Sequence, residues 1–109
     1  MSVSPGVRHP LCTIDDLVDG GVRKFVIGDR ELAVVRLGDQ VYALSDRCSH
    51  QDVSLSEGEV DDDMGTLECP KHGSGFDLET GEATSLPATR PVAVYEVVVD
   101  GDDVSVVVS

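Results

Sequence analysis

Short strand-forming runs, each closed by a turn bearing Gly or Asp, fill both ends of this chain and leave little room for helix. Val22–Ile27 and residues 31–37 are rich in β-branched and apolar side chains, and Gly28-Asp29-Arg30 between them predicts a hairpin. Gly38-Asp39 predicts a second turn, leading into a strand over Gln40-Val41-Tyr42-Ala43-Leu44. Toward the C-terminus, residues 93–99 and 104–108 flank Asp100-Gly101-Asp102-Asp103, a further hairpin signal. Leu11-Cys12-Thr13 reads as a first strand, and one helical turn is expected at Thr13-Ile14-Asp15-Asp16-Leu17 with Thr13 as its cap. The fold class that follows is all-β, a small antiparallel sandwich or barrel.

The chain has 109 residues, enough for one domain with a modest core that needs no disulfides. Hydrophobic content of 40% excludes a disordered acidic tail, while 4% aromatic content without Trp leaves aliphatic residues to build that core. Eight Lys and Arg stand against 21 Asp and Glu, a formal charge of -13. That balance argues against nucleic acid, whose phosphates need clustered cations, and favours a partner with a basic face. Met1 to Pro10 lacks an apolar signal core, and no run approaches the length of a membrane span, so a cytoplasmic protein is expected. Three cysteines cannot all pair, which excludes a disulfide scaffold.

The middle of the chain, Asp46 to Pro87, is poorer in regular signals and holds two Cys/His clusters, Cys48-Ser49-His50 and Cys69-Pro70-Lys71-His72. The strands Gln40 to Leu44 and Thr66-Leu67-Glu68 precede them, so the clusters are expected on two loops at one end of a sheet. Two thiolates and two imidazoles suffice for one metal centre. They suit a closed structural zinc site, or a two-iron cluster with cysteines on one iron and histidines on the other. Zinc fingers commonly pair like ligands within a loop; here each loop supplies one Cys and one His, an arrangement suited to an object with two distinct ends.

The paired motif Cys48-x-His50 and Cys69-x-x-His72 resembles that of the Rieske iron–sulfur proteins, above all their small soluble ferredoxins. The likeness continues through His72-Gly73-Ser74-Gly75-Phe76-Asp77, Thr80-Gly81 and Pro87-Ala88. It implies one Rieske domain over residues 1–109, with a cluster-binding part at about 46–87, and one [2Fe-2S] cluster. Cys48 and Cys69 would hold one iron, His50 and His72 the other, and the outward imidazole edges would offer an exit for the electron. Gly73 and Gly75 would let backbone amides approach the sulfides, and Leu86-Pro87 would belong to a covering loop. Val53 and Lys71 stand where the high-potential branch has an extra Cys in each loop, so that branch's disulfide cannot form. Ser74 matches a hydroxyl donor to a bridging sulfide, whereas Phe76 replaces a Tyr donor to a cysteine sulfur. A lost donor and an acidic chain both oppose reduction, partly offset by Arg47 and Lys71; the expected potential is low in the family range, about -150 mV.

The resemblance implies an electron carrier that transforms no substrate itself. It would take electrons from a flavin-dependent reductase and pass them to a terminal acceptor such as a Rieske non-haem iron oxygenase, working as a monomer. The rival uses of the chain are a zinc-stabilised module and a nitrite-reductase-like accessory subunit, a setting in which the cluster ligands are often missing. Cys12 is expected as a small buried residue, His9 as a surface residue, and Asp61-Asp62-Asp63 as a solvated turn in preference to a calcium site.

Overall fold

The computed structural model describes residues 7–28, 30–47, 54–70, 74–84 and 91–108. Among the described residues, nine strands run in the order β1 (Val7–Thr13), β2 (Val22–Ile27), β3 (Arg30–Leu37), β4 (Gln40–Ser45), β5 (Glu59–Asp61), β6 (Thr66–Glu68), β7 (Gly75–Asp77), β8 (Val94–Asp100) and β9 (Asp103–Val108). A six-stranded antiparallel sheet has the order β1-β9-β8-β4-β3-β2, and a three-stranded sheet the order β5-β6-β7. The only helix among the described residues is two 3-10 turns, Ile14–Asp16 and Leu55–Glu57.

Strand β3 explains how the two sheets come together. Leu32, Ala33, Val34 and Val35 are all fully buried, which requires cover on both faces of the strand. Side chains alternate across a strand, so Ala33 and Val35 point one way and Leu32 and Val34 the other. The first pair joins a core with Leu44, Leu55, Leu67, Cys69, Phe76 and Leu78, contributed largely by the small sheet and its approaches. The second pair joins Leu17, Val41, Ala43, Val104 and Val106, where β9 folds back over the large sheet. The expected all-β sandwich or barrel is the fold found, with one strand shared between its two cores.

Both expected N-terminal hairpins form: Ile27 pairs with Arg30 and Leu37 with Gln40. Asp29, in the first of these turns, lies outside the described residues. The C-terminal hairpin is tighter than expected, because Asp100 and Asp103 pair and leave Gly101-Asp102 in the turn, with Gly101 at φ +63. The helical turn begins where Thr13 predicts, and the Asp16 carboxylate accepts both the Thr13 N–H and its hydroxyl at 3.1 Å. Cys12 lies in β1 but is half-buried at the edge of the second core, since the sheet ends there and leaves one side open.

Candidate metal centre

The described residues that flank each Cys/His segment form a closed stem. The first continues β4. The Asp46 N–H donates to the Glu31 carbonyl at 2.9 Å, Arg47 bridges to Ser54, and the Asp46 carbonyl accepts the Leu55 N–H at 2.5 Å. The described residues that flank 48–53, the first excursion, therefore meet at this rung. The second continues the β6–β7 hairpin, where the Cys69 N–H donates to the Ser74 carbonyl at 2.7 Å, one rung beyond the Glu68–Gly75 pair. Pro70 follows and offers no N–H to extend the ladder. On either side of residues 85–90, the third excursion, the Thr84 N–H donates to the Gly75 carbonyl at 2.8 Å and the Val92 N–H donates to the Gly81 carbonyl at 2.8 Å.

The three stems converge. Leu55, on the far side of the first excursion, and Cys69, at the start of the second, share one apolar core with Phe76. Gly58 carries the chain directly over the Glu68 carbonyl, where any Cβ would overlap that oxygen. Gly81, at φ +77, likewise lies against the Val92 carbonyl, where a Cβ has no room. Gly75 links the second and third stems, since it pairs with Glu68 and accepts from Thr84.

Of the expected ligands, Cys69 is described: it is buried, 2% exposed, on the face of β6 that also carries Leu67. Cys48, His50 and His72 lie outside the described residues, as do Val53, Lys71, Gly73 and Leu86-Pro87-Ala88. Ser74 is buried beside Cys69 at 1% exposure. Phe76, fully buried, stands opposite Leu67 and joins the same core cluster as Cys69. Gly75 is a paired strand residue whose backbone serves both the β6–β7 ladder and the third stem.

The donor chemistry and the stems fit a metal cluster. A thiol held in an apolar core next to a buried Ser residue, with the described flanks of both Cys/His segments rooted in that core, can shield an inorganic group from water on that side. A cleft of about 260 Å³ lined by Glu57, Gly58, Glu59, Glu68, Cys69 and Pro70 opens beside the second stem. Glu59 and Glu68 are direct cross-strand partners, a like-charge pair that places negative potential at this lip at some cost in stability.

Sequence reasoning passed over one charged group at this end. Asp46 is 1% exposed, and it follows Tyr42 and Leu44 on one face of β4 and its extension. The signal was available as a carboxylate falling in step with buried positions. Nearby, Lys24 Nζ lies 2.6 Å from Glu31 Oε1 and 3.6 Å from Asp46 Oδ2, and Arg47 Nη2 lies 3.4 Å from Glu31 Oε2. The hydrogen bond from Lys24, with its positive charge, holds the Glu31 carboxyl below its ordinary value; the same bond raises the Lys24 ammonium. His9 sits on β1 opposite Val106, away from the stems. Asp61, Asp62 and Asp63 bring their carboxylates within 4.8 Å of one another, but Asp61 Oδ1 already accepts the N–H groups of Asp63 and Met64 at 3.1 Å. They form the β5–β6 turn expected of them, with Asp61 as the last residue of its strand.

Known proteins share both the sequence and this geometry. The ferredoxin subunit of 3-phenylpropionate/cinnamic acid dioxygenase from Photorhabdus laumondii is 42% identical over 99 residues, spanning 91% of this chain and 92% of that protein. The ferredoxin of carbazole 1,9a-dioxygenase from Nocardioides aromaticivorans superposes with a TM-score of 0.88 at 40% identity, covering 93% of this chain and 99% of that one. A ferredoxin solved in complex with the reduced oxygenase of carbazole 1,9a-dioxygenase gives a TM-score of 0.85 at 41% identity, with 94% of each chain covered. Residues 7–96, which include both Cys/His motifs and all three stems, match the Rieske [2Fe-2S] domain, and the chain belongs to that family.

Proposed function

We propose that this chain is a one-electron carrier in which Cys48, His50, Cys69 and His72 hold one [2Fe-2S] cluster. The observation that carries the reading is the convergence of the two ligand-bearing excursions on a core that already buries Cys69. When bound, the cluster supplies reversible uptake of a single electron. The protein's own part is to fix and shield: the Cys69–Ser74 rung sets the second excursion, the Asp46–Leu55 and Arg47–Ser54 contacts set the first, and Leu55, Leu67 and Phe76 exclude water behind Cys69. Cys48 and Cys69 would hold one iron, and His50 and His72 the other.

The whole chain, residues 1–109, then acts as one domain whose cluster-binding part spans about 46–87. Electrons come from a flavin-dependent reductase and leave to a terminal acceptor, a Rieske non-haem iron oxygenase in the first instance. The dioxygenase ferredoxin relatives support that placement. The glutamate-lined cleft beside Pro70 and the charge of -13 support a basic partner face. The carrier works in the cytoplasm as a monomer.

Metal and sulfide analysis of the purified protein tests the reading. Brown-red protein with paired iron and acid-labile sulfide, paramagnetic on reduction, is the expected result. Colourless protein holding zinc and no sulfide overturns it in favour of a structural module. Transfer of electrons from a reductase to an oxygenase then separates a carrier from an accessory subunit of a nitrite-reductase-like enzyme.

A further inference from the structure

We propose that Asp46 is a positioning residue for the excursion bearing Cys48 and His50, closing that excursion at its base and holding a negative charge beside it that lowers the cluster's potential. The inference rests on the cluster reading above. Carboxylates are among the side chains least often buried without a partner, yet Asp46 is 1% exposed and extends the buried register of Leu44. Three of its polar groups are engaged. Its N–H donates to the Glu31 carbonyl at 2.9 Å, its carbonyl accepts the Leu55 N–H at 2.5 Å, and Oδ1 accepts the Ser56 N–H at 2.7 Å. One residue thus ties the outgoing strand to β3 and to the returning 3-10 turn. The side-chain bond is the charge-assisted one of the set.

The remaining oxygen, Oδ2, is buried and has no hydrogen-bond donor among the described residues; Lys24 Nζ lies 3.6 Å away. Lys24 is itself drawn toward Glu31 at 2.6 Å, and Glu31 also faces Arg47. The carboxylate is therefore balanced by an ammonium shared with a second carboxylate. Asp46 precedes Cys48 by two residues, so their Cα atoms are at most about 7–8 Å apart. A fixed negative charge in a region of low dielectric opposes the gain of an electron nearby far more than it would in water. The partner Lys24 acts in the opposite sense.

Three variants separate the parts of this proposal. Asp46→Asn keeps an oxygen acceptor for the Ser56 N–H and removes the charge, whereas Asp46→Ala removes both. Hydrogen–deuterium exchange over residues 54–58 is expected to be about tenfold faster in Asp46→Ala and within about twofold of the parent in Asp46→Asn. Loss of cluster absorbance to a chelator follows the same order. The midpoint potential is expected to rise in Asp46→Asn, with the reduced paramagnetic spectrum unchanged, and to fall in Lys24→Gln. Unchanged exchange in Asp46→Ala overturns the closing role. An unchanged midpoint in Asp46→Asn overturns the electrostatic role, and midpoints that move together in Asp46→Asn and Lys24→Gln do the same. Iron and sulfide analysis of the parent is read separately. Its failure removes the cluster, while the exchange data still report on the stem.

Discussion

The Cys69 amide donates to the Ser74 carbonyl at 2.7 Å, one rung past the last paired residues of the β6–β7 hairpin. The rung joins the described residues on either side of the second Cys/His motif, with Pro70 to Gly73 between them in sequence. The two residues are also nearly water-free, at 2% and 1% exposure, so a thiol-bearing and a hydroxyl-bearing residue are both buried at this rung. The last described rung of this hairpin is thus a dry pair of residues, beyond which Pro70 is exposed. The chain spends burial here that a purely structural hairpin would give to Leu or Val.

Removal of a ligand is expected to cost the cluster and not the fold. In Cys69→Ser and His72→Ala, visible absorbance is lost or distorted, while far-ultraviolet circular dichroism keeps its β-sheet signature. His9→Ala leaves the spectrum unchanged, because His9 pairs with Val106 on β1 away from the stems. Iron content of each purified variant checks the set. A His72→Ala protein with the parent's iron and spectrum would remove His72 from the ligand list.

Phe76 faces the same core cluster as Cys69, so its ring is the natural place to add a donor toward the cysteine sulfur. Phe76→Tyr is expected to raise the midpoint potential, since a hydrogen bond to a cluster sulfur favours the more negative reduced state. The parent potential is expected near the low end of the family range, about -150 mV. Protein-film voltammetry gives both numbers. A midpoint well above zero for the parent, or no shift in the variant, contradicts the respective expectation.

The strand runs and both Cys/His segments were legible because their signals are local: alternating apolar residues with Gly-Asp turns, and ligand types at fixed short spacing. Thr66-Leu67-Glu68 was readable for the same reason. Glu59–Asp61 and Gly75–Asp77 were not, because three residues of Glu, Val and Asp or of Gly, Phe and Asp have little strand preference of their own. They become strands only by pairing on either side of β6, a non-local event. Asp46 was hidden for a different reason. Its burial depends on Glu31 and Lys24, which the β2–β3 hairpin brings to the end of β4. Half-burial of Cys12 is likewise set by where β1 ends against β9, between Pro10 and Thr13, where the register shifts.

Gly58 is required by close approach, because a Cβ there would overlap the Glu68 carbonyl. Gly58→Ala must push β5 away from β6 next to Cys69, and overpacking of this kind costs about 1–3 kcal/mol. Urea unfolding should show that loss, and cluster release to a chelator should accelerate alongside it. Gly101→Ala is the contrast. Its φ of +63 is strained for Ala, but a Cβ meets nothing within 4 Å and the turn lies at the far hairpin, so cluster release should be unchanged.

A charge of -13 predicts opposite salt effects with small oxidants of opposite sign. Oxidation of the reduced protein by a cationic cobalt complex should slow as ionic strength rises, because screening weakens attraction. Oxidation by ferricyanide should quicken under the same change. Stopped-flow rates from low to physiological salt decide it. Rates that ignore salt for both reagents would mean that the local field at the electron exit is close to neutral, with Arg47 and Lys71 cancelling the acidic lip.

The Lys24–Glu31 pair sets a pH window for the stem of the first excursion. Glu31 titrates below its ordinary 4.5, first through its hydrogen bond with Lys24. Its contribution is therefore present above that value and disappears as pH falls through the lowered one. Lys24 titrates above its ordinary 10.5 for the same reason, so its contribution is complete below that value and disappears as pH rises through the raised one. Both side chains are about two-fifths exposed, at 40% and 38%, so the effect is modest and sensitive to salt. Thermal melts of the parent and Glu31→Gln should differ by a constant amount from about pH 5 to 10 and converge on the acid side of that window. A difference that persists undiminished at about pH 3 would show that Glu31 stabilises the stem through packing and not through its charge.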